Sequence, residues 1–463
     1  MTIHVYVGPT LPAAEVTAAS ADARLHAPAQ HGDLLRARPR EGDRVLLIDG
    51  YYHQAGSVRH KEILDLLDSG VTVIGAAGLG AIRAAELSGL GMIGVGEIFE
   101  QYRTGDITGD DEVAVAHGEP PDYRKFSEAL VNIRHALGRA ADDGALDQRE
   151  AASLLRCARA LPYTARSWHA IDETAQRTEP WLRPALRRLR DLRRVDPSAS
   201  DLKALDARRA LHYLAGAQPP PAPALGRRQN PGWHTRLLHD WKARFRGGLV
   251  GDIYVDDLSV ARYQQLYDRA FPGRWRALVL ARIAGISQPG TAAGDPATSA
   301  LRAAADAGLS YESLSAAQRA EWLTPGELAG LPPGEAMITL LVRSYQPSRG
   351  LSELVDVSAG PLIAKQAIRS CVAAAFATNE ATAARAAHWQ LSHLNRHVLG
   401  LQLAGIWGAD PADLAALDAC ARDRGLASFG AAVEVFRPFF LKQRADEAGQ
   451  PAGTLPTPAG VSS

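Results

Sequence analysis

Residues 71–80 read Val-Thr-Val-Ile-Gly-Ala-Ala-Gly-Leu-Gly, an apolar run that breaks into glycines and continues as an alanine-crowded helical stretch to Leu87. A short run of β-branched residues with no polar alternation suits a strand covered on both faces. Glycines at its end let the chain bend sharply into the helix that follows. Two earlier runs share this character. Ile3-His4-Val5-Tyr6-Val7 closes at Gly8-Pro9, and Val45-Leu46-Leu47-Ile48 closes at Asp49-Gly50. Between the second and third runs, Ile63, Leu66 and Leu67 fall at i, i+3 and i+4 in a stretch from about Val58 to Ser69, stopped by Gly70. Strand and helix alternating in this rhythm predict βαβ units and a parallel sheet, with strands near 3–7, 45–49 and 71–75.

From about residue 138 the composition turns to Ala, Leu and Arg, and strand signals thin out. The fold class expected is therefore an α/β N-terminal domain with a largely parallel sheet, followed by a mainly α-helical C-terminal region. The expected organisation is an α/β core over 1–137, a helical region over 138–215, a proline-rich linker or loop over 216–232, a second helical region over 233–448, and a disordered tail over 449–463. A second break falls at about 286–299, and no fixed-period repeat is visible.

Composition excludes several classes. Of 463 residues, 46% are hydrophobic and 22% charged, as in ordinary globular proteins, and the formal net charge of +0 argues against a broad basic surface for nucleic acid. The N-terminus MTIHVYVGPT lacks the basic start and apolar core of a signal peptide, and no apolar run reaches membrane-helix length, so no membrane association and a cytoplasmic location are expected. Cys157, Cys371 and Cys420 are widely separated with no CxxC pair, which favours buried inert thiols over a disulfide framework or zinc site. No metal and no cofactor are expected.

Three segments carry candidate chemistry. The turn around Gly75, Gly78 and Gly80 has GxxGxG spacing, neither a dinucleotide nor a P-loop pattern. It opens a helix whose free N–H groups suit an anion or an oxyanion, with Arg83 one turn further on. The plainer reading is a close-packed strand-to-helix turn. The second segment runs Asp49-Gly50-Tyr51-Tyr52-His53, then Ser57, His60 and Lys61. It leaves the carboxyl end of a strand, where ligands bind in open α/β sheets. Ser57 and Lys61, four apart, would share a helical face and could form a nucleophile–base pair. The plainer reading is a capping serine and a solvated lysine. The third segment, 110–118, sets three acids ahead of a short strand ending at His117. The acids could hold Mg²⁺ or simply be exposed, and His117 could act as acid or base or be structural.

Taken together, these segments resemble the TfuA-like family. The likeness rests on VYVGPTLP at the start, GDLLRA at 32–37, LLIDGYY at 46–52, HKEIL at 60–64, GAAGLGAIRAAEL at 75–87, GMIGVGEIFEQYRTG at 91–105 and DDEVAVAHG at 110–118, in family order over 1–137. The helical remainder resembles extensions on bacterial members more weakly. The resemblance implies an accessory of a YcaO-type enzyme, the ATP-dependent partner that exchanges oxygen for sulfur in a ribosomal precursor peptide. It implies handling of a ThiS-like thiocarboxylated sulfur carrier, with hydrolysis at a Ser–Lys pair, and promotion of YcaO substrate engagement. Lys61 is the position to which the lysine maps.

The serine departs from the family. Members read GASSMGALRAAE or GAASMGALRAAE, which places the family serine on Gly78 and leaves Ala77 at the other candidate position. Either Ser57 supplies a hydroxyl, or the chain has lost the acyl-enzyme route and serves as a partner protein or hydrolyses by a lysine-activated water. The expectations are thus a thiocarboxylate hydrolase or a noncatalytic YcaO/peptide adaptor. A nucleotide-binding α/β protein is a third reading, without a phosphate motif to support it.

Overall fold

A computed structural model describes residues 1–51, 55–195, 200–216, 232–285, 295–347, 350–357, 362–386 and 388–448. The proline-rich stretch at 217–231, the break at 286–294, the tail at 449–463, and Tyr52 and His53 lie outside the described residues. The chain divides into two compact units, Met1–His234 and Thr235–Ser463.

The first unit is built on a five-stranded sheet of order β2-β1-β3-β4-β5, parallel at every pairing. Its strands are β1 (Ile3–Tyr6), β2 (Ala23–His26), β3 (Arg44–Leu47), β4 (Thr72–Ala76) and β5 (Ile93–Val95). The three strands legible in the sequence are the central ones. Val5, Val45, Leu46, Val73 and Ile74 are fully buried, as strands covered on both faces should be. Two edge strands were not anticipated. β2, Ala-Arg-Leu-His, is half-exposed, and β5 is a three-residue run holding Gly94. Neither has the apolar continuity that announces a central strand.

Among the described residues, ten α-helices complete the unit: α1 (Ala13–Ala19), α2 (Asp33–Ala37), α3 (His60–Asp68), α4 (Leu79–Leu87), α5 (Glu97–Thr104), α6 (Leu130–Asp142), α7 (Gln148–Arg159), α8 (Trp168–Thr178), α9 (Arg183–Val195) and α10 (Leu202–Ala215). α10 matters most for the site. Ala204, Ala207, Ala210, Leu211 and Leu214 pack in one core cluster with Val5, Leu46, Ile74 and Ala76 from the sheet. Its Asp206, fully buried, accepts from the Ile98 N–H at 2.8 Å and so caps the start of α5. A helix 100 residues downstream in sequence is therefore part of the sheet's cover.

The second unit is mainly helical, with one hairpin of Gly247–Val250 paired antiparallel to Ile253–Asp256. A 24-residue helix, Leu362–Arg385, packs Val372, Ala373 and Ala375 against Leu399, Leu403, Phe436 and Phe439. A separate cluster gathers Phe271, Trp275, Val279, Ile338, Val342 and Leu354. The α/β then helical architecture follows the sequence expectation. Among the described residues, no helix is long and apolar enough to cross a membrane.

Candidate functional site

At the carboxyl edge of the sheet, β3 and β4 lie side by side, with Leu47 opposite Gly75. The chain leaving β3 passes Ile48 and reaches Asp49, which is buried. Three donors hold its carboxylate: the N–H of Gly8 at 3.0 Å, the N–H of Thr10 at 3.0 Å and the Thr10 hydroxyl at 2.5 Å. Gly8 and Thr10 follow β1, so the ends of two strands are tied together at one carboxylate.

A cavity of about 130 Å³ opens here, lined among others by Asp49, Gly50, Tyr51, Leu79, His117, Thr164 and Lys203. Lys203, in the first turn of α10, is only 3% exposed. Its Nζ donates to the Val113 carbonyl at 3.0 Å and lies 3.5 Å from Asp49 Oδ1. Burial pulls its pKa below the usual lysine range, and the Asp49 carboxylate opposes that shift. The lysine is itself well positioned. Its N–H donates to Asn132 Oδ1 at 3.0 Å, and Asn132 Nδ2 donates to Asp201, which also receives Lys125 Nζ at 2.7 Å. His117 Nδ1 lies 2.9 Å from the Gly118 carbonyl. A carbonyl can only accept, so Nδ1 carries a proton, and in the neutral ring Nε2 then holds the lone pair. The His117 ring sits against Tyr51 and Tyr123. The Tyr123 phenol is pushed up to about 12 by burial and by the neighbouring Tyr51.

The glycine turn has a different character from an open anion cradle. Gly75 is a strand residue, and a Cβ there would lie 2.1 Å from the Gly80 carbonyl oxygen. At Gly80 a Cβ would lie 1.8 Å from the Leu47 carbonyl oxygen. These two glycines let α4 pass close over β3 and β4. The N–H groups of Gly78 and Gly80 donate to the Ile48 carbonyl at 3.1 and 3.4 Å, so neither is left for a ligand. Ala77 carries the sharp turn at φ 63 and is fully buried.

Gly78 faces the lysine. A Cβ built there would lie 2.7 Å from the Ile48 carbonyl oxygen, 3.0 Å from Asp49 Oδ1 and 3.4 Å from Lys203 Nζ. The position to which the family serine maps is thus next to Lys203 and Asp49.

The remaining candidates gather elsewhere. α3 starts at His60 with Arg59 as its cap, so Ser57 precedes the helix and shares no helical face with Lys61. Ser57 bridges to Gln30, and its hydroxyl accepts from Arg83 Nη2 at 3.3 Å. Arg83 also donates to the Val58 carbonyl and to Glu86, and Glu86 is met by His60 Nε2 at 2.8 Å. Ser57, His60 and Arg83 therefore form one network with Glu86, while Lys61 is half-buried; none of these five residues lines the Asp49 cavity. Of the sequence candidates, Asp49, Gly50 and His117 line it.

The acids at 110–112 form a 3₁₀ turn in which Glu112 takes a bidentate contact from Arg134 and Asp111 pairs with Arg166. Among the described residues no group of three or more His, Cys, Asp or Glu is placed to hold a metal ion.

Lys203 is the residue that sequence reasoning missed. A signal was present. Lys203, Ala207, Ala210, Leu211 and Leu214 occupy i, i+4, i+7, i+8 and i+11, so the lysine sits in the stripe that faces the core. A charged residue in such a stripe is either neutralised or functional.

Residues 49–167 match the family model described as TfuA-like protein. The matched segment starts at Asp49, includes the glycine turn and His117, and ends before Lys203. No curated protein matches the chain.

Proposed function

We propose that this chain, TfuA-like over residues 49–167, holds the thiocarboxylate end of a small ThiS-like carrier in the Asp49–Lys203–His117 cavity and presents its sulfur to a YcaO-type enzyme. The family match supports the coarser statement, an accessory role in the TfuA/YcaO system. The observation that carries the finer one is a lysine almost wholly removed from water, at the carboxyl edge of a parallel sheet, facing a cavity of about 130 Å³. That space suits a few heavy atoms such as a glycyl thiocarboxylate. It falls below the roughly 300 Å³ at which sites for larger ligands begin, which counts against the nucleotide reading. Gly50, Ala114 and Ala116 in the lining leave room for a thin peptide tail.

With glycine at 78 the position to which the family serine maps has no hydroxyl, and the Thr10 hydroxyl is engaged by Asp49, so the chemistry we assign to the site is direct attack by water. Water adds to the thiocarboxylate carbon, the C–O bond forms, and the C–S bond breaks. The products are the carrier carboxylate and hydrogen sulfide. His117 Nε2 takes the water proton and returns it to the leaving sulfur, while Lys203 Nζ lines the cavity where negative charge develops on the thiocarboxylate oxygen. Without a covalent intermediate this path is slow.

The adaptor reading is favoured by the same glycine: binding would persist and sulfide release would come only with YcaO and the precursor peptide present. Sulfide release from thiocarboxylated carrier, with and without YcaO, tests the two. Slow release by the chain alone that is lost in Lys203→Gln supports hydrolysis. Release only with YcaO supports the adaptor. Absence of carrier binding under either condition would remove both.

A further inference from the structure

The second unit holds a cavity of about 230 Å³ whose chemistry no function above uses. It lies among the helices Arg236–Phe245, Asp257–Tyr267, Phe271–Ile283 and Leu351–Val357 and the turn at 425–427. Its described lining includes three arginines, Arg236, Arg262 and Arg343, and no aspartate or glutamate. Trp275, Trp322 and Leu354 give it apolar walls.

The three arginines differ in how their charge is met. Arg343 is saturated: it contacts Asp423 at 2.7 and 3.0 Å, Glu327 at 2.7 Å through two nitrogens, and the Trp322 carbonyl at 2.8 Å. It is a structural cross-brace. Arg262 has no such partner. Its hydrogen bond is Nη1 to Gln265 Oε1 at 2.6 Å, and among the described residues it forms no ion pair. Burial, with the like charge of Arg244 second, pushes its pKa down to about 10. A guanidinium will not give up its proton to escape this, so the charge stays in place, poorly solvated. Arg236, by contrast, is exposed at the rim of the cavity and reaches solvent. The indole Nε1 of Trp275, a residue 2% exposed, is a second buried donor with no hydrogen-bond partner. Buried cations and donors are ordinarily matched. Here an arginine without a counter-ion and an indole N–H without an acceptor line one cavity, whose described lining holds no carboxylate.

We propose that this cavity binds an organic carboxylate, with the carboxylate on Arg262 and Arg236 and an apolar or aromatic body against Trp275, Trp322 and Leu354. A guanidinium fork matches a carboxylate in two parallel hydrogen bonds. The volume exceeds what an inorganic anion fills, and the walls favour a body that leaves water.

Isothermal titration of the full chain with N-acetyl-phenylalanine, its neutral amide, phenyl phosphate and inorganic phosphate tests this. Saturable binding of the carboxylate is expected, with the amide about tenfold weaker or more. Arg262→Gln should lose the carboxylate by a similar factor, while its melting temperature without ligand holds or rises, because an unneutralised charge has left the interior. Equal affinity for acid and amide, preference for either phosphate, or unchanged binding in Arg262→Gln would each overturn the assignment. A fall in the melting temperature of ligand-free Arg262→Gln would also count against it, since the arginine would then be structural.

Discussion

Lys203 is a poor choice for stability alone. Taking an ammonium out of water costs several kcal/mol, and one carboxylate at 3.5 Å with one backbone carbonyl returns only part of that. Asp49 does not depend on it, because Gly8 and Thr10 already satisfy the carboxylate. Lys203→Met should therefore leave the melting temperature of the first unit unchanged or raise it, while carrier binding is lost. A marked drop in that temperature would make the lysine structural instead. Gly78 is the companion position. Gly78→Ser brings a hydroxyl beside Asp49 and Lys203, but its Cβ would approach the Ile48 carbonyl oxygen to 2.7 Å, so a backbone shift costing roughly 1 to 3 kcal/mol is expected. If the variant folds, sulfide release should exceed that of the wild type; equal or lower release would show that position 78 is not where the chemistry needs an oxygen.

At the scale of elements, the packing of α4 on the sheet depends on two glycines more than on any side chain. Gly80→Ala would put a Cβ 1.8 Å from the Leu47 carbonyl oxygen, a clash with backbone rather than with a movable side chain, and roughly 3 kcal/mol or more of stability should be lost. Denaturant unfolding followed on the first unit measures it, and a loss under 1 kcal/mol would mean the helix can lift freely. The sheet edge offers a pH test. His4 Nδ1 and His26 Nε2 lie 3.0 Å apart, and burial first, then His4 and Arg24, pushes the His26 pKa down to about 4; burial lowers His4 as well. The folded state favours neutral rings, so the stability they contribute is complete above about pH 6.5 and is lost as pH falls towards 4. His26→Gln should flatten that part of the melting-temperature profile; a profile of unchanged slope would exonerate the pair. The same elements explain what could be read beforehand. β3 and β4 carry apolar runs, and β1 is a β-branched and aromatic run closed by Gly8-Pro9, so all three are legible. β2 and β5 are an edge strand and a glycine-bearing triplet, recognisable only once a neighbour is paired to them. Asp49 and His117 could be nominated from strand ends. The four-residue spacing of Ser57 and Lys61 suggests one helical face, but the helix begins three residues after Ser57. The lysine at the cavity is about 150 positions away in sequence, brought there by a crossing of α10 that local pattern does not encode.

For the whole molecule, the two units carry distinct chemistries: a small cavity at a sheet edge in the first, an arginine-lined one among helices in the second. Fragments 1–234 and 235–463 are expected to fold separately, each with its own cooperative calorimetric transition; failure of either to fold would contradict a division at that point. The most direct measurement is equilibrium binding of a thiocarboxylated ThiS-like carrier to the full chain, to Lys203→Gln and to Lys61→Gln. Saturable binding by the wild type is expected, weakened about tenfold or more by Lys203→Gln and left intact by Lys61→Gln. Loss in Lys61→Gln with Lys203→Gln unaffected, or no binding by the wild type, would contradict the assignment of the Asp49–Lys203–His117 cavity as the carrier site.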